Sequence, residues 1–178
     1  MNVLVVVESC FSNTHRFAEA VVMGLRERGI EVRLTDAADQ DWDLTDVDLL
    51  LLGAPIHNRG LPNRLSRMLA GTQGASPKTF GVAEWLDGMP EWAGGRAAAF
   101  DTGTGRGFIH GSAVNAIAKR LERHGVELVA SERFLVEAME GPVVPKQLAR
   151  ARLWGTALAS YVGKTGETAR LWISSKPK

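Results

Sequence analysis

The hydrophobic pattern opens with an unbroken apolar run, Val3-Leu4-Val5-Val6-Val7, which stops at Glu8 and gives way to small polar residues through Thr14. The period then changes: Phe17, Ala18, Val21, Val22 and Leu25 recur at three- and four-residue spacing before Gly29. A continuous apolar run fits a strand buried on both faces, and the 3.6-residue period fits an amphipathic helix. Together they predict a strand, a short polar loop, and a helix whose N-terminus faces that loop.

The alternation continues along the chain. Residues 30–34 predict a second strand, and Val47-Asp48-Leu49-Leu50-Leu51-Leu52-Gly53 a third. Residues 62–69 predict a short helix with Leu61, Leu65, Met68 and Leu69 on one side. A fourth strand begins over 96–100, and an amphipathic helix over 113–123 carries Val114, Ile117, Ala118 and Leu121. Residues 126–129 and 132–136 form or extend a fifth strand. Pro145 opens a long helix with Leu148, Ala151, Trp154, Leu158 and Val162 facing inward. Strand and helix in turn imply an α/β fold, a parallel sheet with helices on both faces. Five strands favour a three-layer doubly wound sheet of order 2-1-3-4-5.

Two segments stand outside this scheme. An extra stretch over 71–95 is rich in Gly, Ser and Pro and then carries Val82, Trp85, Leu86 and Met89 at helical spacing. That spacing predicts a short helix laid on the sheet; the alternative for its tryptophans is contact with a ligand site or a partner subunit. Residues 164–178 form a polar, basic tail, which leaves 1–163 as one domain.

Composition narrows the class. Hydrophobic residues at 45% and charged residues at 23% of 178 are ordinary globular values. A single cysteine excludes an internal disulfide, and the four histidines at 15, 57, 110 and 124 have no zinc spacing. The apolar start lacks a basic flank and is too short for a membrane span, so the expectation is a cytoplasmic protein with no membrane partner. A net charge of +1 offers no electrostatic argument for nucleic acid.

Candidate chemistry sits where strands end. A helix N-terminus with free N–H groups is a ready anion site, and Ser9, Ser12, Asn13 and Thr14 place hydroxyls and an amide around it. That implies a phosphorylated ligand; the plainer alternative is a turn with Ser12 as N-cap. The doubly wound order brings the loops after the first, third and fourth strands to one place. The second is 53–62, with Pro55, Ile56, His57 and Asn58; the third is 100–114, with Thr102, Gly103, Thr104, Gly105, Arg106 and Gly107. Alternating glycines let a backbone pass close to a planar ligand, whereas His57 and Asn58 also suit a simple turn.

Ser9-Cys10-Phe11-Ser12-Asn13-Thr14 resembles the phosphate loop of flavodoxins, S-x-T-G-N-T, with Phe11 in place of a hydroxyl residue and Ser12 in place of glycine. The resemblance, to bacterial flavodoxins and the FMN domains of nitric-oxide-synthase type, runs from residue 1 to about 161. It implies flavin mononucleotide (FMN) as cofactor, with phosphate on residues 9–14 and the ring bordered by 55–58 and 102–107. His57 then falls where the family often stacks a residue on the flavin, and Arg106 would favour the reduced ring. The implied activity is electron transfer with a redox partner protein or small acceptor. Two other readings stay open: an NAD(P)H-dependent quinone-type reductase, usually a homodimer, and a cofactor-free interaction domain. Near-neutral charge differs from the acidic shuttle flavodoxins.

Other chemistries lack their residues. A receiver domain needs an acidic pair after the first strand and an aspartate ending the third, yet Glu8 stands alone and the third strand ends Leu52-Gly53. The Walker and G-x-S-x-G motifs are absent. Cys10 and Arg16 have the C-x5-R spacing of a phosphatase, but the loop between them lacks glycine.

Overall fold

A computed structural model of the chain describes residues 1–76, 79–105, 111–138 and 141–162. Five parallel strands, β1 (Asn2–Val7), β2 (Glu31–Asp36), β3 (Leu49–Pro55), β4 (Arg96–Gly103) and β5 (Glu127–Leu135), form one sheet of order 2-1-3-4-5. The helices are α1 (Asn13–Arg26), α2 (Arg64–Thr72), α3 (Val82–Gly88), α4 (Ala113–Arg123) and α5 (Pro145–Leu158). The predicted fold class and strand order are those observed. Expected tail residues 164–178 lie outside the described residues.

Side-chain alternation along the strands divides the interior into two layers. Val3, Val5 and Val7 of β1, Leu49 and Leu51 of β3, and Ala98 and Phe100 of β4 meet α1 and α5. Leu4, Val6, Leu50, Leu52, Ala97 and Ala99 meet α3 and α4 on the opposite face. Every one of these residues is buried, which is why β1 and β3 read as unbroken apolar runs. α3 buries Val82, Trp85 and Leu86, with Met89 just beyond it, so Trp85 belongs to the core. Its indole N–H donates to the Asp41 carbonyl, and the Trp42 indole donates to the Trp85 carbonyl, each at 2.9 Å.

α1 and α5 approach so closely that glycine is required at the contact. A Cβ on Gly24 would stand 2.0 Å from the Arg152 carbonyl oxygen, and one on Gly155 would stand 2.1 Å from that of Val21. Both obstructions are backbone atoms, which have no rotamer to retreat into.

α2 departs from the amphipathic expectation. It starts at Arg64, after an Asn63–Ser66 capping box, and its apolar side faces out: Leu65, Met68 and Leu69 are 61%, 61% and 54% exposed. The buried members of the helix are Arg67 and Ala70. Arg67 reaches Glu8 at the end of β1, so ion pairing rather than apolar spacing sets the orientation of the helix.

Candidate functional site

Backbone geometry brings the carboxyl ends of β1, β3 and β4 together. The Glu8 N–H donates to the Gly53 carbonyl at 2.9 Å, and the Ile56 N–H donates to the Thr102 carbonyl at 2.9 Å. Ahead of them opens a cleft of about 220 Å³. Its walls include Ser9, Cys10, Phe11, Asn13 and Thr14 from the first loop, Pro55, Ile56, His57, Asn58 and Arg59 from the second, and Thr102, Gly103 and Thr104 from the third.

The first loop has the features of an anion turn. Ser12 precedes α1 in the left-handed conformation (φ 65°), and its side chain makes no capping hydrogen bond. Ser12 thus stands at the N-cap position, but the side-chain cap that the plainer alternative gave it is not formed. No acidic side chain lies in the first turn of α1, so neither a cap nor a carboxylate spends the positive end of this helix. The Ser9 hydroxyl is buried and has no hydrogen-bond partner among the described residues. A buried hydroxyl normally finds a partner, since leaving it unpaired costs about 1–3 kcal/mol. Thr14 is also buried, its hydroxyl 2.8 Å from that of Thr102.

The second loop is a hairpin-like turn built without glycine at its centre. His57 and Gly60 exchange both backbone hydrogen bonds at 2.9 Å, and Asn58 (φ 45°) and Arg59 (φ 68°) between them are both left-handed. Two central residues at positive φ define a type I′ turn, and asparagine tolerates that conformation better than arginine does. His57 thus both closes a turn and lines the cleft. Burial, and then the nearby Arg67 charge, push its pKa below 6.5, which keeps the imidazole neutral at neutral pH.

The third loop is anchored by an ion pair between buried Asp101 and half-buried Arg133. Asp101 at the end of β4 accepts from Arg133 Nε at 2.6 Å and Nη2 at 2.9 Å. The same carboxylate accepts from the Ser112 hydroxyl and the Ala113 N–H, each at 3.0 Å, so it also caps α4. Arg133 donates in addition to the Gly111 carbonyl at 2.7 Å. Gly111 has a φ of +70°, and a Cβ there would meet the Arg59 backbone at 2.2 Å. Ser112 N–H donates to the Arg59 carbonyl at 3.1 Å, which joins the third loop to the second.

Most of the residues picked from sequence share this cleft. Ser12 and Gly105 are described but do not line it, and Arg106 and Gly107 lie outside the described residues. Arg59 and Val136 line it and were missed. The Asn58-Arg59-Gly60 stretch was a readable turn signal for the first; Val136 had none beyond its place at the end of β5. Arg16, at phosphatase spacing from Cys10, is exposed on α1 and lines a shallow groove with Leu148 and Arg152 instead of the cleft. Among the described residues no cluster of His, Cys, Asp and Glu is suited to a metal, and no helix is long and apolar enough to cross a membrane.

Behind the first loop lies a second ion-pair network. Glu8, fully buried, accepts from Arg67 Nε at 2.7 Å and from the Val82 N–H at 2.9 Å. Arg67 also donates to Glu84 at 3.0 and 2.7 Å. Burial raises the Glu8 carboxyl above its ordinary range, against the pull of Arg67. Glu84 is held below its range: burial opposes ionisation there, but the hydrogen bonds from Arg67 and from backbone N–H groups outweigh it. Gly81 must be glycine here, because a Cβ would stand 2.2 Å from Glu8 Oε2. The network fastens α2 and α3 to the strand that carries the anion turn.

Among solved structures, flavodoxin 1 from Bacillus cereus aligns over 92% of this chain and 100% of its own, with a TM-score of 0.67 and 17% identity. The fold is that of the flavodoxins. Flavodoxin 2 of the same organism aligns over 90% of this chain and 99% of its own (TM-score 0.65, 21% identity). A WrbA-like flavodoxin from Agrobacterium tumefaciens covers 89% and 95% (TM-score 0.60, 19% identity). No protein-family model and no curated protein sequence matches the chain. The flavodoxin fold is thus shared with structures at 17–21% sequence identity.

Proposed function

We propose that this protein binds FMN noncovalently at the anion turn of α1 and takes part in electron transfer. The observation that carries the reading is the Ser9 hydroxyl, buried and partnerless beside an uncapped helix N-terminus. A phosphate group satisfies both the hydroxyl and the helix dipole. The flavodoxin likeness of the fold supports the same ligand.

In this reading Ser9, Asn13 and Thr14 hold the phosphate, Ser12 bends the backbone around it, and Cys10 and Phe11 form the floor of the turn. Pro55, Ile56, His57 and Asn58 border one side of the ring, and Thr102, Gly103 and Thr104 the other. The bound flavin supplies the redox chemistry, while the protein sets its orientation and access. A neutral His57 adds no repulsion toward an electron-poor ring, and its ring is held by a hydrogen bond to the Ser66 backbone. Asp101 and Arg133 brace the β4 end without entering the cleft themselves.

The test is titration of the purified protein with FMN, followed by flavin absorbance and fluorescence quenching. Saturable binding at one flavin per chain is the expected result. Absence of binding with FMN in excess would overturn the reading.

A further inference from the structure

A second concave surface adjoins the cleft, and its chemistry is of one sign. It runs along the exposed flank of α4 and is lined by Arg59, Lys119, Arg120, Arg123 and Arg133, with no acidic residue among its lining. Arg59 belongs to both surfaces, since it also lines the cleft. The chain as a whole has 21 basic and 20 acidic residues, so this patch arises from placement and not from an excess of cations.

The five cations are not equivalent. Arg120 is paired with Asp87 at 3.0 Å, and Arg133 with Asp101 at 2.6 Å. Lys119 and Arg123 are exposed, stand one helical turn apart, and have no carboxylate partner among the described residues. Arg120 and Arg123 also complement the negative C-terminal end of α4, which is a stabilising role in its own right. That role does not account for Arg59, which comes from a different element and is held in the left-handed conformation at the lip of the cleft.

The N-terminus of α4 beside the groove is not a phosphate site. Phosphate is held by arginine side chains or by the backbone N–H groups of a helix N-terminus. At α4 those groups are already engaged: Asp101 accepts from Ala113, and the Ser112 hydroxyl accepts from Asn115. What remains is an open groove of about 580 Å³ whose exposed cations are Arg59, Lys119 and Arg123, with Arg120 and Arg133 half-buried in their ion pairs. Such side chains reach carboxylates spread over a facing surface and steer its approach.

We propose that the α4 groove is the docking surface for an acidic partner protein, which it seats against the lip of the flavin cleft. That this partner exchanges electrons with the chain rests on the FMN reading above; the docking itself does not.

The probe is an acidic [2Fe–2S] ferredoxin, titrated into isotope-labelled protein with and without added FMN. Basic cytochrome c and 2′-phospho-ADP serve as the opposite-charge and small-phosphate probes. Ferredoxin is expected to bind, with amide shifts centred on residues 59–60 and 112–123. Its affinity should fall about tenfold or more between about 50 and 200 mM salt. Lys119→Glu combined with Arg123→Glu should weaken it by about tenfold or more while thermal unfolding and the flavin spectrum stay as in the parent. Failure of ferredoxin to bind, indifference to salt or to the charge reversal, preference for cytochrome c, or tighter occupation of the groove by 2′-phospho-ADP would each overturn the proposal. Ferredoxin binding of this kind in protein that takes up no FMN would support the docking surface and overturn only the flavin reading.

Discussion

The hydroxyls of Thr14 and Thr102 lie 2.8 Å apart in the interior and tie the first turn of α1 to the end of β4. One hydroxyl donates and the other accepts, and the acceptor keeps its own proton for a ligand. Thr14→Val leaves the Thr102 hydroxyl buried without this partner, at a cost of about 1–3 kcal/mol. Thr14→Val with Thr102→Val removes both polar groups and should recover most of that loss. Urea unfolding of the parent, both single variants and the double variant measures the coupling. On the FMN reading, titration of Thr14→Val should also show weaker flavin binding, because the variant removes a hydroxyl from the turn proposed to hold the phosphate.

Ser12 occupies a conformation that glycine adopts without steric cost, with φ at 65° and no hydrogen bond from its side chain to the helix. The left-handed region costs a residue with a Cβ roughly 1–2 kcal/mol. Ser12→Gly relieves that strain but gives the unfolded chain more freedom, worth about 0.5–1 kcal/mol in the other direction. The expected net change is a small gain in stability, read from the midpoint of urea unfolding with an unchanged slope. A loss of stability would show that the Ser12 side chain makes a contribution larger than its strain.

Arg67 is the counter-ion that lets Glu8 be buried. Replacing one member of a buried pair leaves an uncompensated charge, so Arg67→Met should destabilise the protein by about 3–5 kcal/mol near pH 7. The sign of the pH dependence follows from Glu8. Its folded pKa is already raised above the ordinary 4.5, so the folded state holds this proton more tightly than the unfolded chain. The stability linked to it is fully present below 4.5 and is lost as pH rises through the folded pKa. Removing Arg67 raises that folded pKa further. The deficit of Arg67→Met should therefore narrow as pH falls from about 7 toward about 5, with denaturant unfolding across that range as the check.

Strand order and element types were legible because the apolar runs of β1 and β3 are buried on both faces and helices separate them. The polar turn between β1 and α1 was legible for a local reason: strand, loop and helix are contiguous in sequence. α2 was misjudged in its orientation, since its apolar spacing could not reveal that Glu8, 59 positions earlier, would claim Arg67. For the same reason Asp101 looked like a loop residue, although Arg133 and the start of α4 make it a buried anchor. Long-range ion pairs leave no period in a sequence, and they decide both cases. His57 was divided between turn and ligand roles, and the structure gives it both positions at once.

The glycine seam between α1 and α5 has a consequence for the order of events during synthesis. Phe17, Val21 and Leu25 of α1 lie in a core layer that also needs Ala151 and Leu158 of α5. A nascent chain that has produced the Ser9–Thr14 turn, but not yet α5, lacks the surface against which α1 is seated. Thr102, which ties the turn to β4, is made before α5 and cannot by itself supply that surface. The turn encoded first is therefore seated only after α5 has been made, and a chain released before that point would expose the apolar face of α1.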